Sequence, residues 1–379
     1  MPLPTQMRAL HLPTISSSPQ ITLRTVPLPT VVPGSVLVRV LAAQVSQKFH
    51  DIYSGKVGFT LAPDMILGGG YAIGRVAQPG PDTTSLPVGK LVMLQSFLRA
   101  RDNPEEIQAV WGSFDGGLPA SREWIEKNWK NGCYAEYVLA PLENVEPLDE
   151  EKLCGAKEEG GLGYSVEDLL QLPVQLVEMG GWKGIGLQAG ERVIVAPATG
   201  QFGGAAVEVA VAMGAGQVIA MGRNMEILKR IQGCYPKGKV EIVPMTGDED
   251  GDAQKLTSWG SVDAYLDISP AAATGSTHVS SCFKALRNYG RVSLMGILPE
   301  GLSATYAMVV WKSLTIKGQY MYDRADARQI VRMAESGVLR LGPETGVEVV
   351  GKFKLDEIDQ AWHVAANNTE FGKLIALNP

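Results

Sequence analysis

The 379-residue chain has only four cysteines, Cys133, Cys154, Cys234 and Cys282, and no two of them share a C-x-x-C spacing. That scatter argues against a disulfide framework and a structural zinc site, and reduced thiols suit an intracellular protein. No run of 18 apolar residues occurs, and residues 1–24 lack the apolar core of a secretory leader. A soluble, cytoplasmic protein is the expectation. Basic residues are in the minority: 34 Lys and Arg against 40 Asp and Glu leave a net charge of −6. That balance argues against nucleic acid or an anionic membrane as the main partner. Repeats and low-complexity tracts are absent. What remains is ordinary globular composition, 45% hydrophobic, on a chain long enough for two domains rather than one.

The organising stretch is residues 191–204, E-R-V-I-V-A-P-A-T-G-Q-F-G-G. Its β-branched run at 192–196 reads as a buried strand, and the small-residue turn at 197–203 leads into an Ala-rich helix ending at Gly214. Strand, glycine turn and helix together cradle a pyrophosphate, with backbone N–H groups and the helix dipole facing the anion. Thr199 stands where the middle glycine of G-x-G-x-x-G belongs. The neighbouring residues Gly200, Gln201, Phe202 and Gly203 are expected to line the cofactor.

Before this stretch the pattern is β-rich, with short strand-like runs at 7–12, 21–26 and 36–42 and proline-set corners. Residues 97–131 interrupt that pattern as an inserted lobe bearing Trp111, Trp124 and Trp129. Ser165 and Asp168 form a capping box that opens a helix. Strands are then expected at 192–196, 217–221, 240–243, 262–268, 290–296 and 313–318, with helices between most of them. Six strands alternating with helices predict a doubly wound parallel sheet, an α/β fold.

This order of parts resembles the medium-chain dehydrogenase/reductase superfamily over essentially the whole chain. The resemblance rests on G-C-Y-A-E-Y at 132–137, L-Q-A-G-E-R-V-I-V at 187–195 and the turn at 197–203. It rests also on V-D-A-Y-L-D-I-S-P at 262–270, G-R-V-S-L-M-G at 290–296 and F-G-K-L-I at 371–375. The turn is similar to the A-x-x-G-x-x-G form of zinc-independent quinone and enoyl reductases, and the run at 196–206 looks closest to fungal alcohol-dehydrogenase-like oxidoreductases. The resemblance implies a chaperonin-10-like catalytic domain at 1–167 and 322–379 and a Rossmann domain at 168–321. A homodimer through the edge strand at 313–318 is implied as well.

Dinucleotide sites choose between NAD and NADP roughly 20 residues past the glycine turn. Here Gly222, Arg223 and Asn224 follow the second strand, with no acid before Glu226. Arg223 suits a 2′-phosphate, so NADP(H) is the expected cofactor. Ser269, His278, Met295 and Gly296 join the cofactor set by their position at or near strand ends.

Alignment to zinc-using members puts Ser46, Gly69 and Gly70 at the catalytic ligand positions, and neither glycine can ligate a metal. No metal is expected. Tyr53 matches the D-x-Y stretch bordering the cleft of zinc-free quinone reductases and is the leading proton donor. His50 and Ser46, on the same loop, are its alternatives. These residues imply a reductase acting on an activated C=C bond or conjugated carbonyl. Zinc-free ketone or alcohol chemistry, and an NADPH-binding protein with little catalysis, stay open beside it.

Overall fold

A computed structural model describes residues 2–299, 301, 302 and 304–379. These form two compact units. One runs to Pro173 and includes Val349–Thr369 and Lys373–Pro379; the other is Val174–Glu348 with Glu370–Gly372.

The first unit is built on an antiparallel seven-stranded sheet. Its longest strand, Ser35–Val45, pairs with Ala72–Pro79 on one side and with the C-terminal strand Lys373–Leu377 on the other. Tyr137–Pro141 adds to the same central strand. This is the chaperonin-10-like half that the family resemblance implies. Within residues 97–131, Phe97–Arg99 pairs with Gln108–Val110, and the helix Pro119–Trp124 continues as a wider turn over Ile125–Trp129. Trp111 is fully buried and donates its ring N–H to the Asn131 carbonyl at 3.1 Å, so it belongs to the core of the unit.

The second unit holds the parallel sheet. Its strands are β1 (Arg192–Ala196), β2 (Gln217–Gly222), β3 (Val240–Pro244), β4 (Val262–Asp267), β5 (Leu286–Leu294) and β6 (Thr315–Gly318). Their spatial order is β3-β2-β1-β4-β5-β6, every pairing parallel. Helices cover both faces of such a sheet, so its central strands must be apolar on both sides. Val193, Ile194, Val195 and Ala196 are accordingly all inaccessible to solvent. The order reverses between β1 and β4, and a dinucleotide crosses an open sheet outside the strand ends at such a reversal.

The helix Arg324–Glu335 lies in this second unit, beyond the boundary at residue 322 expected from sequence. Ala327, Ile330, Val331 and Ala334 bury one face of it, and Asp326 pairs with Lys183 at 2.5 Å. Upstream, the Ser165–Asp168 capping box is reciprocal: Asp168 N–H donates to Ser165 Oγ at 3.1 Å, and Ser165 N–H to Asp168 Oδ2 at 2.9 Å. Among the described residues no helix is long and apolar enough to cross a membrane.

Candidate functional site

In the second unit the site grows from the carboxyl end of β1. Ala198 N–H donates to the Met221 carbonyl at 2.8 Å, tying the turn to β2. Gly200 is the N-cap of the helix Gln201–Ala212 and has no side chain to satisfy its first turn. Those N–H groups and the helix dipole suit an anion. A Cβ on Gly203 would be driven onto the Pro197 carbonyl, so only glycine lets the helix start so close to the strand. Gly222 faces Thr199: a Cβ there would lie 2.6 Å from Thr199 Cγ2. Thr199 therefore fills the groove beside Gly222 and fixes how wide it is.

A short strap, Glu370–Gly372, lies across this turn. Phe371 N–H donates to the Thr199 carbonyl at 3.0 Å, Glu370 bridges Gly200, and the Phe371 ring rests where a Gly204 side chain would stand. Sequence reasoning singled out F-G-K-L-I only as a family likeness. Its placement on a turn 170 residues away has no local signal.

Arg223 is exposed and makes no hydrogen bond or ion pair among the described residues, so its guanidinium is available to a ligand. Asn224 Oδ1 accepts from the N–H groups of Glu226 (3.0 Å) and Ile227 (3.2 Å), making it the N-cap of the next helix.

Ser269 and His278 are both about 1% exposed and are engaged in hydrogen bonds inside the unit. Ser269 Oγ donates to Asp267 Oδ1 at 2.5 Å, and Tyr265 OH donates to the same oxygen at 3.1 Å. His278 Nε2 lies 2.8 Å from Ser269 Oγ, and its Nδ1 lies 2.7 Å from Ser276 Oγ. Asp267, missed by sequence reasoning, is the end point of this cluster. Met295, half-buried, donates its N–H to the Asp267 carbonyl at 2.9 Å, and Gly296 packs directly against Asp267.

In the first unit the helix Gln47–Tyr53 carries the three expected catalytic residues. Ser46 is its N-cap, half-buried, and its hydroxyl makes no capping bond. His50 is about one-third exposed at its side chain, with the Trp362 ring edge-on at 5.2 Å and no hydrogen bond at Nδ1. Tyr53 is wholly buried, its hydroxyl accepting from Gly68 N–H at 3.0 Å and donating to the Gly112 carbonyl at 3.2 Å. Burial pushes that phenol far above its ordinary range, so it keeps its proton. Tyr53 is thus a structural tie between three segments and not the proton donor expected from the family motif. Desolvation likewise raises the adjacent Cys133 thiol to about 12, leaving it inert.

The zinc positions give a physical result. A Cβ on Gly69 would strike the Trp111 carbonyl, and one on Gly70 the Gln95 carbonyl. Main chain occupies the space that a His or Glu ligand would need. Among the described residues no group of three His, Cys, Asp or Glu side chains is arranged to hold a metal. The donor set at these positions does not fit zinc.

Residues 32–150 match the family described as Alcohol dehydrogenase GroES-like domain, and residues 202–336 the family described as Zinc-binding dehydrogenase. The L-threonine 3-dehydrogenase of Ruegeria pomeroyi is 25% identical over 345 residues, covering 89% of this chain and 90% of that one. Among solved structures, the alcohol dehydrogenase of Thermus sp. ATN1 superposes with a TM-score of 0.76 at 22% identity, over 98% of this chain and 100% of that one. A structure described as a short chain alcohol dehydrogenase from E. coli CFT073, complexed with NADH, gives 0.76 at 15% identity over 99% and 100% of the two chains. At these identities the solved structures speak for the fold alone.

Proposed function

Since the chain belongs to the medium-chain dehydrogenase/reductase family of nicotinamide-dependent oxidoreductases, we propose that it is an NADPH-dependent, zinc-independent reductase. Its substrate in this reading is the activated C=C bond or conjugated carbonyl of a small organic molecule. The observation that carries the reading is the main chain of Trp111 and Gln95 standing where ligand side chains would go at positions 69 and 70. A Lewis acid contributes several kcal/mol of charge stabilisation to carbonyl reduction. A protein without that donor set is best matched to a substrate whose own conjugation spreads the developing charge.

When bound, the nicotinamide supplies the hydride. The chain's own residues do the rest. Gly203 and the bare N-terminus of helix Gln201–Ala212 receive the pyrophosphate, and Arg223 offers a forked donor to the 2′-phosphate. His50, whose ring is about one-third exposed, takes the place of Tyr53 as the candidate proton donor. A second reading, zinc-free ketone reduction or alcohol oxidation, is favoured by the names of the relatives, L-threonine 3-dehydrogenase and alcohol dehydrogenase.

One steady-state series tests both the bond reduced and the cofactor: wild type and Arg223→Ala, each with NADPH and NADH and an α,β-unsaturated ketone, products identified by mass. The expected product is the saturated ketone. The KM for NADPH should rise about tenfold or more in the variant, the scale of a lost charge-assisted contact, with NADH little affected. An allylic alcohol would favour the second reading, and equal changes for the two cofactors would sink the NADP assignment.

For assembly, we infer that a second copy of the chain pairs along β6. That strand has a sheet neighbour on one side only, and Tyr306, Trp311 and Tyr289 nearby are 86%, 81% and 72% exposed. Light scattering should give twice the chain mass, and Trp311→Glu should halve it; a monomeric wild type would end the inference.

A further inference from the structure

The hydrogen-bond chain behind β4 has a direction. Ser269 spends its single proton on Asp267 Oδ1, so its oxygen must accept from His278, which places a proton on Nε2. The ring's Nδ1 lies 2.7 Å from the Ser276 hydroxyl. His278, Ser269 and Tyr265 all donate towards one buried carboxylate, which is 4% exposed. Every donor acts on Oδ1. Oδ2 receives no hydrogen bond among the described residues, and Gly296 packs against it, where a Cβ would stand 2.5 Å away.

A network this fully directed onto Oδ1 fixes the carboxylate plane and leaves Oδ2 without a donor. Asp267 ends β4, across the sheet reversal from Gly222 and Arg223 on β2. The pyrophosphate turn lies between them at the end of β1. A dinucleotide whose adenosine half sits over β2 carries its other half over β4.

We propose that Asp267 Oδ2 is a cofactor contact: it accepts a hydrogen bond from a hydroxyl or amide N–H of the nicotinamide-riboside half, with His278 and Ser269 as its positioning residues. The inference rests on the nicotinamide-binding reading above and adds to it the residue that holds the reacting half.

The test is a pair of binding titrations on the full chain, with NADPH and with 2′,5′-ADP, which lacks the nicotinamide riboside. Asp267→Asn keeps the shape but replaces Oδ2 by a donor. His278→Leu breaks the chain, and His278→Gln restores a donor near Nε2. Gly296→Ala presses on Oδ2 and on the Ser269 main chain and is read beside the Asp267 variant. Expected are an increase of about tenfold or more in the Kd for NADPH in Asp267→Asn, Gly296→Ala and His278→Leu, partial recovery in His278→Gln, and 2′,5′-ADP affinity within about twofold of wild type throughout. Equal weakening of both ligands means a merely structural role and overturns the proposal, as does unchanged NADPH affinity. A wild type that binds 2′,5′-ADP and NADPH equally well overturns it too. A wild type that binds neither overturns the nicotinamide-binding reading itself.

Discussion

Tyr53→Phe is expected to lower stability by about 2–4 kcal/mol while leaving the pH dependence of turnover unchanged. The ring fits the same fully buried space, so packing is conserved, but the Gly68 N–H and the Gly112 carbonyl lose their common partner together. Each buried backbone group left without a hydrogen bond costs about 1–3 kcal/mol, with some relaxation between them. The loss ought also to loosen residues 67–70, which the phenol fastens to residue 112. Denaturant unfolding of the two proteins measures the first effect, and a pH–rate profile the second. If Tyr53 were instead the proton donor, the variant would lose about 10²-fold or more in kcat with its stability nearly intact.

Glu208→Gln should make the protein more stable at pH 8 by about 3 kcal/mol, with little difference at pH 5. Glu208 lies on the helix that follows the glycine turn, 5% exposed; desolvation raises its carboxyl from 4.5 to about 7, against the opposing pull of Gln175, Thr345 and Arg340. Gln175 Nε2 donates to one carboxyl oxygen at 2.8 Å, while the other oxygen has no partner. Because the folded value is raised, the native chain holds a proton that the unfolded chain has already released between pH 4.5 and about 7. Stability is therefore fully present below that window and falls as pH rises through it; at about 1.4 kcal/mol per pH unit the loss sums to about 3 kcal/mol. Glutamine stays neutral throughout and escapes the loss. Unfolding midpoints of the two proteins that move in parallel from pH 5 to pH 8 would show that Glu208 carries no such burden.

Much of the cofactor half was legible because its signals are local. The strand at 192–196 must be apolar on both faces, Gly203 must lack a side chain where the helix leaves the Pro197 carbonyl, and Ser165 and Asp168 cap each other three residues apart. Such features follow from periodicity and steric demands within a few residues. The six strands fell where the alternation put them, with β2 extending to Gly222 and β5 beginning at Leu286.

The family motif and position along the chain could not show that Tyr53, Ser269, His278 and Asn224 are already engaged in hydrogen bonds within their own units. Each of these side chains is polar and lies on a loop or at a helix start, which is all that sequence shows.

Sequence by itself determined the α/β class, the parallel sheet and the strand–glycine turn–helix unit, since hydrophobic alternation and glycine sterics act between near neighbours. Only the tertiary structure decided which polar groups are spoken for. Tyr53 meets Gly112 across 59 residues, and His278 meets Ser269 behind a strand end. Whether a hydroxyl or imidazole is spent or available depends on which atoms from distant segments arrive within about 3 Å of it, where a hydrogen bond forms and water is displaced.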